Sequence, residues 1–263
     1  EVDVAGRQVR TVGEPSATVP GYNLNLTVDL DLQRAVTDIL QAQMKSLGKK
    51  EGVVILMNPQ TGEVLSLVSL PSYDNNEFTG GISSDVLQAL FDDPSYPLVN
   101  HAISGMFPPG SAFKLVAAVG ALEEGVVTTD TRLHCGGILW LPNFYYPGDP
   151  SLAQPFYCWI HHGYYGSHGA LSMVSALGRS CDIYFYQVAG GYRDRFEGLG
   201  ETRLGYYAEL LGYGRQSGID LPGETTGLVP TPRWKRANYN ESWVTGDTVS
   251  YTHLRAHETK ANL

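Results

Sequence analysis

"FPPGSAFKLVAAVGALEEG", residues 107 to 125, decides how the rest of this 263-residue chain is read. Two prolines and a glycine lead into Ser111, Lys114 follows three residues later, and an apolar run continues to Gly125. Pro108 and Pro109 fix the backbone entering the turn, and Gly110 permits a dihedral that other residues avoid. Residues three apart on a helix share a face, so a helix starting here brings the Lys114 amine toward the Ser111 hydroxyl. A serine hydroxyl is a poor nucleophile until a neighbour takes its proton. A lysine does that when burial or nearby positive charge leaves the amine neutral. The helix start adds unpaired N–H groups and a positive dipole end, which favour negative charge on an attacked oxygen. Taken alone, Ser-x-x-Lys is a common accident, with Ser111 a helix cap and Lys114 a solvated residue. The apolar continuation through Leu115, Val116, Ala117, Ala118, Val119 and Leu122 predicts instead a buried helix, and a buried helix start is a costly place for an idle lysine.

On the N-terminal side, Leu32, Val36, Ile39, Leu40, Gln43, Met44 and Leu47 recur at helical spacing, with Asp29 as N-cap and Gly48 as stop. "GVVILMNPQTGEVLSLVSLPS" predicts two β-branched strands joined by the loop Asn58–Gly62. Residues 1 to 25 suit a strand followed by a linker, and 70 to 110 a long connection with short helical turns. On the C-terminal side, residues 132 to 168 are aromatic and proline-rich and predict an ordered loop. Residues 169 to 190 and 203 to 213 predict further helices. A helix, a hairpin and then several helices give an α+β fold with an antiparallel sheet.

The formal net charge of −9, with no basic cluster, excludes nucleic acid as a partner. Hydrophobic residues at 43% and charged residues at 17% describe an ordinary globular chain with a sizeable core. No apolar run reaches the roughly 18 residues that a membrane helix needs, so no anchor is expected within this chain.

"PPGSAFK" followed by "ALEEG" resembles the active-serine motif of penicillin-binding proteins, the serine acyl-transferases that cross-link peptidoglycan. "NLTVDLDLQRAVTDIL", "VILMNPQTGEVLSLVSLPSYDNNEF", "HGALSMVSALGRSCDIYFYQVAG", "GIDLPGETTGLVPT" and "W…GDT" are similar to further family segments in the same order. The likeness covers roughly residues 20 to 249 and is greatest to the class B branch that serves rod-shape elongation. It implies a penicillin-binding, β-lactamase-like transpeptidase fold and a D,D-transpeptidase acting on stem peptides through a serine acyl-enzyme. Ser111 is then the nucleophile and Lys114 its base. Ser180-Cys181-Asp182 stands at the family's S-x-N motif, with Asp in place of Asn, as in the elongation branch. The resemblance implies that Ser180 shuttles a proton between lysine and leaving group, and that Asp182 holds Lys114 and contacts the substrate amide. Without it, both would be read as a helix cap before "IYFYQV". Implied partners are peptidoglycan stem peptides, β-lactams and morphogenetic membrane proteins of the elongation machinery. The parent would be anchored in the cytoplasmic membrane with its catalytic domain outside.

The three cysteines, Cys135, Cys158 and Cys181, admit a disulfide with one thiol over, or three inert buried thiols. With His168 they form a Cys3His set, the ligand number and type of a tetrahedral structural Zn²⁺. Their spacing matches no short zinc-finger pattern, but some elongation-type relatives resemble this arrangement. The ion would be structural, and no organic cofactor is expected. His161 and His162 compete for the ligand role. The aromatic residues Tyr145, Tyr146, Phe156, Tyr157, Trp159, Tyr164 and Tyr165 are read as loop packing rather than a carbohydrate face.

The family's third motif, K-[ST]-G, is not found, and residues 250–263 do not match the family. The expected organisation is therefore the end of a non-catalytic pedestal and linker over 1–25, a partial transpeptidase domain over 26–249, and a foreign or out-of-frame tail over 250–263. The motif's strand supplies an oxyanion-hole N–H, and losing one such donor typically costs ~10²–10³ in rate. The parent is then expected to be an enzyme and this chain by itself inactive. A β-lactamase or β-lactam sensor, and a non-catalytic cell-wall scaffold, are the alternative readings.

Overall fold

The structure, a computed structural model, describes residues 7, 9–10, 13, 21–79, 81–164, 166–192 and 196–251. The strand expected within residues 1–25 and the tail beyond residue 251 fall largely or wholly outside them. Contacts divide the chain into two compact units, Glu1–Leu98 and Val99–Leu263.

In the first unit, helix α1 (Leu30–Leu47) has the limits its caps dictate. The Asp29 carboxylate accepts from the N–H groups of Asp31 and Leu32, and Gly48 stops the helix in the left-handed conformation at φ 62°. Strands β1 (Gly52–Met57) and β2 (Val64–Leu70) form the expected antiparallel hairpin, with a register shift at Leu56/Met57. Gln33 stitches α1 to β2. Its Nε2 donates to the Leu67 carbonyl, and its Oε1 accepts from Leu67 N–H and the buried Ser66 hydroxyl. Residues 75–78 make a 3-10 turn, and α2 (Ser84–Asp92) starts at the Ser83 cap.

The second unit begins with the single turn α3 (His101–Ser104) and then a 3-10 turn over Gly110–Phe113 that continues into α4 (Lys114–Glu123). Gly110 sits at φ 55°, which explains the glycine in that position. Strands β3 (Leu133–Cys135), β4 (Ile138–Leu141), β5 (Gln154–Tyr157) and β6 (Gly169–Leu171) follow, with β3 paired to β6 and β4 to β5, both antiparallel. Helices α5 (Trp159–Tyr164), α6 (Met173–Gly178), α7 (Asp182–Gly190), α8 (Gly200–Leu210), α9 (Pro232–Tyr239) and α10 (Thr245–Tyr251) complete the described chain.

The core of this unit is α7 packed against α4, α8 and α10. Every residue from Asp182 to Ala189 is buried, as expected of a short helix apolar on all sides. Small residues on α4 allow close approach; a Cβ on Gly120 would lie 2.8 Å from both Leu199 Cδ2 and Tyr207 Cδ2. Tyr184 is buried with its hydroxyl donating to the Thr131 carbonyl, and burial pushes its phenol up to about 12. Lys235 on α9 donates to both oxygens of Asp247, which also accepts from Val244 N–H and so fixes the start of α10.

Four expectations are corrected here. Residues 132–168 are not simply a loop: β4 alternates inward Leu139 and Leu141 with outward Ile138 and Trp140, a period too short to stand out among the prolines. The helix expected over 169–190 is β6, α6 and α7, broken where Ser180 takes a left-handed φ of 48°. The apolar run after Lys114 is only half buried. Val116, Ala117 and Ala118 face the core while Leu115, Val119 and Leu122 are exposed, because a helix that packs on one side keeps a solvent face. The aromatics do not all pack the loop. Phe156 lies against the core, whereas Tyr145, Tyr146, Tyr157 and Trp159 are exposed. Tyr165, and the side chain of Tyr164, lie outside the described residues.

Candidate active site

The 3-10 turn leaves Ser111 exposed while Lys114, one turn on, is only 2% exposed beneath it. Ser111 caps no helix: the turn has no side-chain cap bond. The Lys114 Nζ lies 3.1 Å from Ser111 Oγ, 3.0 Å from Ser180 Oγ, 3.0 Å from the Ser180 carbonyl oxygen and 2.5 Å from Asp182 Oδ1. The fold therefore brings together all four residues singled out in the two motifs, across a sequence separation of 66 to 68 residues.

The chemistry of these partners is unequal. The Asp182 carboxylate and the Ser180 carbonyl only accept, so they take two of the three positions on the amine. The remaining position faces two hydroxyls, each able to donate or accept. The geometry accommodates both forms of the group: an ammonium donates in all three directions, and an amine that has given up one proton keeps two N–H bonds and turns a lone pair toward a serine hydroxyl. The Lys114–Asp182 pair is almost fully buried, with side chains 2% and 3% exposed, so solvent screens it little.

Asp182 is held from its other side as well. Its Oδ2 accepts from the Trp159 backbone N–H at 2.8 Å. Sequence reasoning missed this contact, which comes from a main-chain group 23 residues away and carries no side-chain signature.

Directly behind this wall sits the Cys3His set. Register pairs Cys135 of β3 with Gly169 of β6, which brings His168 beside Cys135. Cys158 follows β5 and Cys181 precedes α7. All three cysteines are free and buried, so the disulfide alternative does not hold in this structure. His168 Nδ1 is 3.7 Å from Cys135 Sγ and 3.5 Å from Cys158 Sγ, the Cys158 and Cys181 sulfurs are 4.0 Å apart, and all four atoms lie within 4.8 Å of one another. Sulfur contacts from Cys158 and Cys181 draw the Cys135 thiol well below its ordinary value. Contacts with the Cys135 and Cys158 sulfurs, together with burial, push Cys181 up. His161 is not in this group, and the side chain of His162 is outside the described residues.

The sequence matches the family described as the penicillin binding protein transpeptidase domain over residues 52–255. The chain belongs to the penicillin-binding protein transpeptidase family. It is 38% identical over 251 residues to the peptidoglycan D,D-transpeptidase MrdA of Escherichia coli K12, a match spanning 95% of this chain and 35% of that protein. Penicillin-binding protein 2 of Pseudomonas aeruginosa, solved in complex with WCK 5153, superimposes with a TM-score of 0.73 at 34% identity, covering 89% of this chain and 46% of that one. The penicillin-binding protein 2 of Helicobacter pylori, solved with MreC, gives 0.74 at 27% identity, covering 96% and 42%. These relatives place this penicillin-binding protein in the class B, elongation-type branch, with the α+β transpeptidase fold. The chain spans about a third of the length of the curated relative. Among the described residues, no helix is long and apolar enough to cross a membrane.

Proposed function

We propose that the full-length protein carrying this chain is a peptidoglycan D,D-transpeptidase. The observation that carries this reading is one buried amine within hydrogen-bond reach of two serine hydroxyls, pinned by a carboxylate. In its uncharged form the Lys114 amine takes the Ser111 proton as Oγ attacks the penultimate D-Ala carbonyl of a stem peptide. The proton passes through Ser180 to the departing D-Ala amine, leaving an ester on Ser111. An amine from a neighbouring stem peptide then attacks that ester, and its proton returns by the same two groups to restore the serine. Asp182 keeps Lys114 oriented throughout. A β-lactam enters the same first step, but its leaving amine stays tethered, so the adduct persists.

Intact mass spectrometry of the full-length protein after exposure to penicillin is expected to show one added molecule, mapped to the peptide containing Ser111. An unmodified Ser111, or an adduct elsewhere, overturns the reading.

The Cys3His set suits a structural Zn²⁺. Sulfur and nitrogen ligands at about 2.3 and 2.0–2.1 Å in a tetrahedron stand about 3.5–3.8 Å apart, close to the spacings seen here. Cys135, Cys158, His168 and Cys181 would hold the ion, which supplies a cross-link between β3, the β5–α5 junction, β6 and the start of α7. Metal analysis of the full-length protein is expected to return one zinc per chain, and Cys158→Ser to lose it and lower the melting temperature. A metal-free protein with unchanged stability counts against this assignment.

Placement outside the cytoplasm, on a membrane-anchored parent, follows from the location of the substrate. The Helicobacter pylori complex supports a morphogenetic membrane protein of the MreC kind as partner.

A further inference from the structure

Lys114 reaches the turn that carries Ser180 and Asp182 from one side. What holds that turn from the other side is Trp159. Its backbone N–H donates to Asp182 Oδ2 at 2.8 Å, and its indole Nε1–H donates to the Arg179 carbonyl at 3.0 Å. One residue thus grips the motif at both ends, immediately before Ser180 and two residues after it.

The grip has something to resist. Ser180 is a non-glycine residue at φ 48°, a backbone region that costs an ordinary side chain free energy and persists only where surrounding contacts enforce it. That conformation aims both the Ser180 carbonyl and its hydroxyl at the Lys114 amine. If the turn relaxed, the amine would lose two of its four oxygen partners together. Burial is not what places the indole, since Trp159 is 51% exposed. Its ring meets the His168 ring edge-on, with centroids 5.5 Å apart, and its one polar atom is spent on the Arg179 carbonyl. A side chain kept half in water yet bonded to the carbonyl just ahead of the motif is placed by that bond.

We propose that Trp159 is a positioning residue for acylation, its indole N–H holding the Arg179–Asp182 turn so that Ser180 keeps the left-handed conformation that points it at Lys114. The assignment rests on the transpeptidase reading above. Trp159 touches no reacting atom and acts through Ser180 and Asp182.

The test replaces Trp159 in the full-length protein with benzothienylalanine, which keeps the ring shape but puts sulfur where the N–H was, and in parallel makes Trp159→Phe. Stopped-flow acylation by a fluorescent penicillin separates the affinity of the first, non-covalent complex from the first-order acylation step. Both variants are expected to slow the acylation step about five- to tenfold, the worth of one hydrogen bond. Initial affinity and zinc content are expected to stay unchanged, and the melting temperature to fall by no more than the few degrees that one hydrogen bond is worth. A merely structural tryptophan would lower the melting temperature and leave the acylation step of the folded fraction intact. An acylation step within twofold of wild type in the benzothienylalanine variant overturns the proposal while leaving the transpeptidase reading in place. A wild-type protein that is not labelled at Ser111 overturns both.

Discussion

Lys114→Ala in the full-length protein is expected to slow penicillin acylation by about 10²–10⁴-fold, the usual contribution of a positioned general base, while Ser111→Ala takes up no covalent label at all. The lysine change is also expected to lower stability, because it strands the Asp182 carboxylate in a site that is 2% exposed. The two effects are separable. A double variant, Lys114→Met with Asp182→Asn, removes both charges at nearly constant volume and is expected to melt closer to wild type than Lys114→Ala. Its acylation is expected to stay as slow. Recovery of acylation together with stability would mean that the amine holds the fold and does no proton chemistry. The measurement is the rate of fluorescent-penicillin labelling on protein shown folded by circular dichroism.

The second large effect is on stability. Asp182→Ala leaves the Lys114 amine buried without its carboxylate, and breaking a buried ion pair from one side costs about 3–5 kcal/mol. In a domain of this size each kcal/mol moves the melting temperature by roughly 2–4 °C, so a fall of roughly 6–20 °C is expected. Asp182→Asn should fall between the variant and wild type. An amide keeps one acceptor oxygen where the carboxylate offers two, and here the two oxygens serve different donors, Lys114 Nζ and Trp159 N–H. The loss should be nearly independent of salt, because the pair is shielded from solvent. An Asp182→Ala protein that melts with wild type would show that the pair contributes little net stability.

The two motifs differ in how each is built. Ser111 and Lys114 are joined by local geometry alone: a glycine able to take φ 55°, a 3-10 turn, and then a helix. Ser180 and Asp182 depend on contacts from elsewhere in the chain, from Lys114 on one side and Trp159 on the other. The second motif is thus the more sensitive to distant changes, including loss of the Cys3His set, whose Cys158 and Cys181 adjoin Trp159 and Ser180.

What the sequence determined by itself was short-range. The limits of α1 follow from Asp29 and Gly48, the β1–β2 hairpin from its branched runs and glycine loop, and the Ser111–Lys114 juxtaposition from helical spacing. The order of motifs was equally legible, since it needs no geometry. Tertiary structure alone decided the rest. Periodicity suggested one helix across 169–190, but Ser180 is forced left-handed by partners far along the chain and splits it. Three cysteines and a histidine at uninformative spacing became one cluster only because β3 pairs with β6 and α7 packs beside them. The Trp159 N–H on Asp182 was invisible for the same reason: a backbone donor has no residue type, and only packing chooses which carboxylate it meets.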